Sequence, residues 1–588
     1  MDRRTFIATS GVAAAGLIIG RREVWAQTGQ GTPGATVATA AGKVRGLLID
    51  KKIHAFRGVP YGASTAGARR FLPPVKPQPW TGVRDAFELG RRSPLVDSVL
   101  VPEWRPLNLR EPMGEDCLNL NVWTPSVNDD RAGTRPVMVW LHGGGYAAGS
   151  PGMIAYDGAN LARKHDVVVV GITHRLNAFG FMYLAELGGD TFADASNAGM
   201  RDIIAGLEWI RDNIASFGGD PGSVTVFGQS GGAGKVSTLL GMPAAQGLFH
   251  KAIAQSGSAV TSMPATAATQ GAEAFMARLG LKRDQVEELQ KLPMERLLDA
   301  LQPRSGGSSA PRGPQGRPEQ GRGATGSGRA DAERGARGDE PGRGGRGAGG
   351  GGFAASPVVD GKSLPRDVFN PTATTLSANI PLLIGSTETE VTWNVNTDYT
   401  PPADDAALRE RVKRTLRGDN DAQVEKLLAI YKKGRPKASN LDLALIIETD
   451  ASQFRSGTDT EAQRKAALGK APVYVYRFQW YSPVSGGRLR AMHCMDIPFV
   501  FENVDLCKTV VGDGQDRHAL ADKMSSAWVA FARTGNPNHK GLPKWDPFTA
   551  DTRATMIFNN ECRAVNDPYR EERLAIAAAQ PARRTTEG

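Results

Sequence analysis

Runs of apolar, largely β-branched residues recur along this chain, separated by segments whose apolar positions fall at helical spacing. Arg135-Pro-Val-Met-Val-Trp-Leu141 is a continuous apolar run and predicts a buried strand. Asp166–Thr173, Ser223–Phe227, Lys251–Ser256, Ile380–Gly385 and Ala471–Phe478 have the same character. Between them, Ala198–Phe217 places its apolar residues at helical spacing, and residues 519–533 predict an amphipathic helix that stops at Arg533-Thr-Gly-Asn-Pro-Asn538. Residues 36–61 read as short strands opening the globular part. Glu115–Trp123 alternates apolar and polar residues, as a half-buried strand does. Residues 403–470 are charged and helix-rich, suited to a cap. Strands alternating with helices imply an α/β fold with a mostly parallel central sheet and helices on both faces.

Two stretches break the pattern. Residues 1–26 combine Arg3-Arg4 and Phe6-Ile7 with an apolar run too short to span a bilayer, followed by Val24-Trp25-Ala26. This predicts a cleaved twin-arginine signal and export to the periplasm or medium. Residues 303–353 are almost entirely Gly, Arg, Pro, Ser, Ala and acids, with essentially nothing to bury, and predict a disordered Arg/Gly-rich insertion. The folded unit therefore runs from 36 to 575 around that insertion. These stretches also explain the charge. The net charge of +10 over 588 residues includes +2 from residues 1–26 and +4 from 303–353. The body is only mildly basic and has no Lys/Arg stripe with interleaved aromatics, so no nucleic-acid partner is expected. A solvated loop suits 303–353 better than an RGG-like segment, because it lacks aromatics and interrupts a folded domain. No stable membrane span is expected either.

The chemistry centres on Val224–Gly234. There a strand-forming run enters Gly228-Gln229-Ser230-Gly231-Gly232 and leaves into helix-compatible sequence. Strand, G-x-S-x-G and helix form a nucleophile elbow, which lifts the Ser hydroxyl above the sheet end. Upstream, the strand 135–141 ends in His142-Gly143-Gly144-Gly145-Tyr146. Three glycines offer backbone N–H groups unobstructed by side chains, as an oxyanion hole requires. His142 precedes the nucleophile and is expected to be structural. A serine nucleophile needs a base and an orienting acid, in the order Ser, Asp/Glu, His. His250, His493, His518 and His539 follow Ser230. His250 precedes every acid candidate, His518 starts a helix and His539 sits in a polar turn. His493 lies in a loop after the strand 471–478, taken as the last of the sheet. Glu388 and Glu390 both qualify as the acid on position.

In these stretches the chain resembles the type-B carboxylesterase (cholinesterase-like) family of α/β-hydrolases. The likeness rests on Glu115–Asn121, His142–Gly145, Asn213–Pro221, Val224–Gly232, Ala252–Gly257, His493–Phe501 and Ala532–Asn538 with Leu542–Trp545, in family order. The resemblance implies an α/β-hydrolase fold and a serine carboxylic-ester hydrolase working through an acyl-enzyme on a small-molecule ester. It implies Ser230 as nucleophile and His493 as base. Glu390 becomes the acid, because the family's Glu falls five residues after a strand-end Gly, here Gly385. Glu388 is then a surface charge. Gly144, Gly145 and Gly231 become the oxyanion donors. Three positions depart from the family pattern: Gln229 and Gly231 replace its Glu and Ala around the serine, and Val391 replaces a Gly. These bear on substrate range more than on chemistry. The family's usual partner for Cys117 is missing, and the pairing of Cys117, Cys494, Cys507 and Cys562 stays open. No Cys flanks Ser230, so a tannase-like bridge is absent. No metal or other cofactor is expected. The competing reading is a non-catalytic adhesion relative of the same fold, which typically lacks the nucleophile.

Overall fold

Apolar runs become sheet because each strand is covered on both faces. The strands are β1 (Thr32–Ala38), β2 (Lys43–Ile49), β3 (Ile53–Pro60), β4 (Val83–Asp85), β5 (Asn119–Thr124), β6 (Arg135–Leu141), β7 (Val168–Ile172), β8 (Gly219–Gln229) and β9 (Lys251–Gln255). A short separate pair, β10 (Met263–Pro264) and β11 (Val358–Val359), precedes β12 (Leu382–Thr387), β13 (Val473–Phe478), β14 (Ala554–Phe558) and β15 (Arg563–Asn566). The computed structural model describes residues 31–97, 101–108, 111–127, 133–302, 353–418 and 420–579. The expected signal segment 1–26 lies outside them. So does the insertion 303–353 except Phe353, which packs against Phe275 at 5.5 Å.

Among the described residues the main sheet has the order β1-β2-β3-β5-β7-β6-β8-β9-β12-β13-β14-β15, with β4 beside β2. From β7 through to β14 every pairing is parallel, and the margins are antiparallel except for β4, which runs parallel to β2. Parallel neighbours need crossover helices, which cover both faces. Met200, Ile203, Leu207 and Ile210 of helix Ala198–Asn213 pack with Val137, Val139 and Val170 on one face. Met524, Trp528 and Phe531 of helix Asp516–Thr534 pack with Met138, Trp140 and Phe227 on the other. Two corrections to the sequence reading follow. β13 is not the last strand, since β14 and β15 extend the sheet beyond it. β5 is buried along its whole length rather than half-buried. Its polar positions fit inside because Asn121 Oδ1 accepts from Gly58 N at 3.0 Å and Asn119 Nδ2 donates to Arg91 O at 2.9 Å.

The 403–470 region forms four helices, Asp405–Leu416, Asp421–Gly434, Asn440–Asp450 and Gln453–Ala466. Side chains of Asp404, Asn420 and Ser439 cap the first three by accepting from the third backbone N–H on. These three bury a small core of their own with Ile576 of the C-terminal helix Arg570–Ala579. The fourth packs along β12 and β13, with Arg455 near its start on Thr387 O at 2.9 Å and Lys465 near its end on Ala378 O at 3.2 Å. No helix among the described residues is long and apolar enough to cross a membrane.

Register sets where chemistry can happen. Leu141 of β6 pairs with Gly228 of β8, Gln229 with Gln255 of β9, and Gly385 of β12 with the same Gln255. The glycine loop, the elbow and the acid loop thus leave the sheet side by side at its carboxyl end, where open α/β sheets bind ligands. Behind that edge, Trp140 meets Phe227 and Phe501 with ring centroids 5.0 Å apart in each pair, and Tyr156 at 4.9 Å. Trp140→Ala is expected to lower stability by about 3–5 kcal/mol. The urea midpoint reads this directly; an unchanged midpoint would contradict the packing.

Candidate active site

The elbow is a strained turn held by close backbone packing. Ser230 has φ 59° and ψ −125°, between the end of β8 and helix Gly231–Leu239. A non-glycine residue is costly there, and such strain persists only where the surroundings enforce it. Its N–H donates to Gln255 O at 2.8 Å, and its carbonyl accepts from Gly234 N at 3.0 Å. A methyl group on Gly232 would collide with the Leu141 carbonyl, and one on Gly231 with the Gly145 carbonyl. The helix therefore starts directly against the end of β6.

The expected oxyanion loop follows β6. Gly144 and Gly145 have φ 90° and 63° and are exposed. The turn closes through Gly144 O, which accepts from Ala148 N at 3.0 Å, and Asn177 N donates to Tyr146 O at 2.7 Å. Among the described residues, the amides of Gly144, Gly145 and Gly231 are bound to no protein acceptor. His142 is buried and structural, with Nδ1 2.9 Å from Gly143 O.

Glu390 and His493 meet although 103 residues separate them. Thr389 forms an isolated parallel bridge with Met492, which brings the two loops together. His493 Nδ1 lies 2.5 Å from Glu390 Oε2, and Glu390 Oε1 accepts from Thr387 N at 2.7 Å. Both side chains are buried, His493 at 2% exposure and Glu390 at 0%. The ring is packed by Phe454 of the cap at 4.4 Å and by Trp393 at 5.6 Å. A carboxylate on Nδ1–H fixes the tautomer that leaves Nε2 able to accept a proton. Nε2 lies 3.2 Å from the amide nitrogen of buried Gln229, whose Oε1 accepts from Cys494 Sγ at 3.1 Å. Ser230 Oγ itself makes no hydrogen bond to the ring among the described residues. Gln229, expected to bear mainly on substrate range, thus touches the imidazole directly.

Glu388 is not the surface charge the sequence reading assigned. It is 5% exposed, paired with Arg435 at 2.6 Å, and accepts from Gln479 Nε2 at 2.8 Å and Tyr481 OH at 3.3 Å. Burial is possible because that guanidinium sits against it. The other histidines are occupied elsewhere: His250 Nδ1 accepts from Val224 N at 3.1 Å, His539 Nε2 lies 3.0 Å from Lys523 O, and His518 is 3.5 Å from Asp505. Sequence reasoning missed Asp496. It is fully buried under the His493 loop and accepts from Tyr476 OH at 2.7 Å and Gln255 Nε2 at 2.9 Å. Burial raises its pKa. Trp528 Nε1 donates to Gln255 Oε1 at 3.1 Å, which ties this network to the strand beside the elbow. None of the four cysteines is in a disulfide. Among the described residues, no group of three His, Cys, Asp or Glu side chains is arranged to hold a metal.

Residues 33–577 match the model of the carboxylesterase family, so the chain belongs to that family and is a carboxylic ester hydrolase of the α/β-hydrolase fold. It is 32% identical to para-nitrobenzyl esterase of Bacillus subtilis over 92% of this chain and 98% of that protein. Phenmedipham hydrolase of Pseudarthrobacter oxydans is 33% identical, with the same coverage of both chains. Among solved structures, an esterase from Clostridium hathewayi superposes with a TM-score of 0.75 at 30% identity, covering 94% of this chain and 99% of its own.

Gly231→Ala must push the Gly145 peptide outward, because the added carbon has no room. The protein should fold, and kcat for a small ester should fall by about 10²-fold, the scale of one lost oxyanion donor. Unchanged kcat would show that the two peptides move apart without consequence.

Proposed function

We propose that the chain hydrolyses small carboxylic esters through an acyl-enzyme on Ser230. His493 serves as general base and acid, Glu390 as the orienting acid, and the amides of Gly144, Gly145 and Gly231 as oxyanion donors. The observation that supports this most strongly is the buried 2.5 Å contact of Glu390 with His493 Nδ1 beside the elbow. Ser230 Oγ attacks the ester carbonyl while its proton passes to Nε2, which it takes over from the Gln229 amide. Catalytic hydrogen bonds are often loose without substrate and tighten in the complex. The carbonyl oxygen gathers negative charge and is received by the three free amides. His493 then gives its proton to the departing alcohol. Water, deprotonated by the same nitrogen, releases the acid and restores Ser230. One relative is a para-nitrobenzyl esterase, which makes p-nitrobenzyl esters the first substrates to try. All three reacting groups are present, which favours catalysis over an adhesion role.

Ser230→Ala is expected to fold normally and lose activity on the order of 10⁶-fold in kcat. Retention of more than a few per cent of wild-type turnover, after purification to homogeneity, would end this assignment. Glu390→Gln should lower kcat by about 10⁴-fold through the wrong imidazole tautomer. Glu388→Gln breaks the pair with Arg435 and should act on thermal stability instead. Equal kinetic losses in the two variants would mean that the acid is wrongly chosen.

We further propose export by the twin-arginine route, on the strength of Arg3-Arg4 and the short apolar run after them. Changing both arginines to lysine should retain the precursor in the cytoplasm. Processed protein in the periplasm or medium of that strain would contradict this.

A further inference from the structure

A lysine inside a protein normally has a carboxylate beside it. Lys235 has none among the described residues. It is fully buried on the elbow helix, one turn beyond Gly231, and its Nζ donates a single hydrogen bond, to His142 O at 2.9 Å. Burial lowers its pKa to about 7. Its surroundings offer no charge to offset it. His142, at the end of β6, and His174, after β7, stack at 4.7 Å, and burial together with Lys235 itself holds both neutral. Tyr146 presents its ring 5.7 Å from Nζ. Glu461, on the cap helix Gln453–Ala466, is engaged by Ser237 Oγ at 2.8 Å.

Packing alone does not account for this residue. A methionine would fill the same space without the cost of desolvating an amine. What the amine provides is a donor at one particular carbonyl. The β6–β8 ladder ends at the Leu141–Gly228 pair, so His142 O lies beyond the last sheet bond. It is the carbonyl immediately before Gly143-Gly144-Gly145. The far end of the loop is anchored by Asn177 N on Tyr146 O. At the near end the anchor is Lys235, whose side chain leans back towards the helix N-terminus, as helical side chains do.

We propose that Lys235 is a positioning residue for the oxyanion loop: its amine pins the His142 carbonyl and so fixes where the Gly144 and Gly145 amides sit relative to Gly231. This rests on the oxyanion role given to those amides above. The lysine touches no reacting atom. It acts by holding the near end of the glycine-rich loop, next to the contact of the His142 ring with the Gly143 carbonyl.

The test separates positioning from stability. Lys235→Met removes a buried amine and keeps the volume, so its thermal midpoint should be unchanged or higher. Its kcat on p-nitrophenyl butyrate should fall by about 30-fold with KM within threefold, somewhat less than the loss of a whole oxyanion donor. The inhibition constant of a trifluoromethyl ketone, which forms a tetrahedral adduct, should rise by the same factor as kcat/KM falls. Lys235→Gln ends one bond short of His142 O and is expected to lose activity in the same way. Folded variants with kcat/KM and inhibitor affinity within threefold of wild type would overturn the proposal. So would a lowered midpoint with full activity per folded molecule, or failure of both variants to fold, because either makes the lysine a stability element. Ser230→Ala run alongside keeps the two readings apart. Activity surviving in Ser230→Ala defeats the proposed function itself. Activity lost there but kept in Lys235→Met defeats only this inference.

Discussion

The structure depends on how closely backbone can approach backbone where β6 ends beside the elbow. The first residues of helix Gly231–Leu239 press on the carbonyls of Leu141 and Gly145, and in this chain glycine at both positions leaves room for that. This contact forces Ser230 to turn with positive φ and brings the amide of residue 231 beside the glycine loop. A Cβ at Gly232 would meet the Leu141 carbonyl and one at Gly231 the Gly145 carbonyl, so either would shift the facing peptide from its present place.

A rigid interior stands behind this junction. Trp140, Phe227 and Phe501 fill the space under the sheet edge. Tyr476, Asp496, Gln255 and Trp528 form a buried polar network that connects the His493 loop to the strand next to Ser230. In front, Gly144 and Gly145 are exposed. The contrast between a fixed back and an open front suits a site that stabilises developing charge with donors already in place.

Much of this was legible in the sequence, for identifiable reasons. Parallel strands buried on both faces leave uninterrupted apolar runs, so β6, β7, β9, β12 and β13 could be read directly. The glycines around Ser230 and after His142 are local in sequence, and their close-approach role shows in the spelling. β5 was misjudged because Asn119 and Asn121 look solvent-facing until Gly58 and Arg91 are seen to bond them. Glu388 looked like a surface charge because Arg435 lies 47 residues further on. Gln229 on His493, Asp496 on Gln255 and Lys235 on His142 span 264, 241 and 93 residues. No local pattern announces such pairs. Family resemblance separated Glu390 from Glu388, and the fold then placed it on His493.

The central claim is that Ser230 is the atom-level point of attack. The most direct measurement is to inactivate the purified enzyme with a fluorophosphonate and map the modified peptide by mass spectrometry. The account predicts one adduct per chain, on Ser230, appearing in step with loss of esterase activity. An adduct on any other residue at full inactivation, or complete labelling of Ser230 with hydrolysis undiminished, would contradict it.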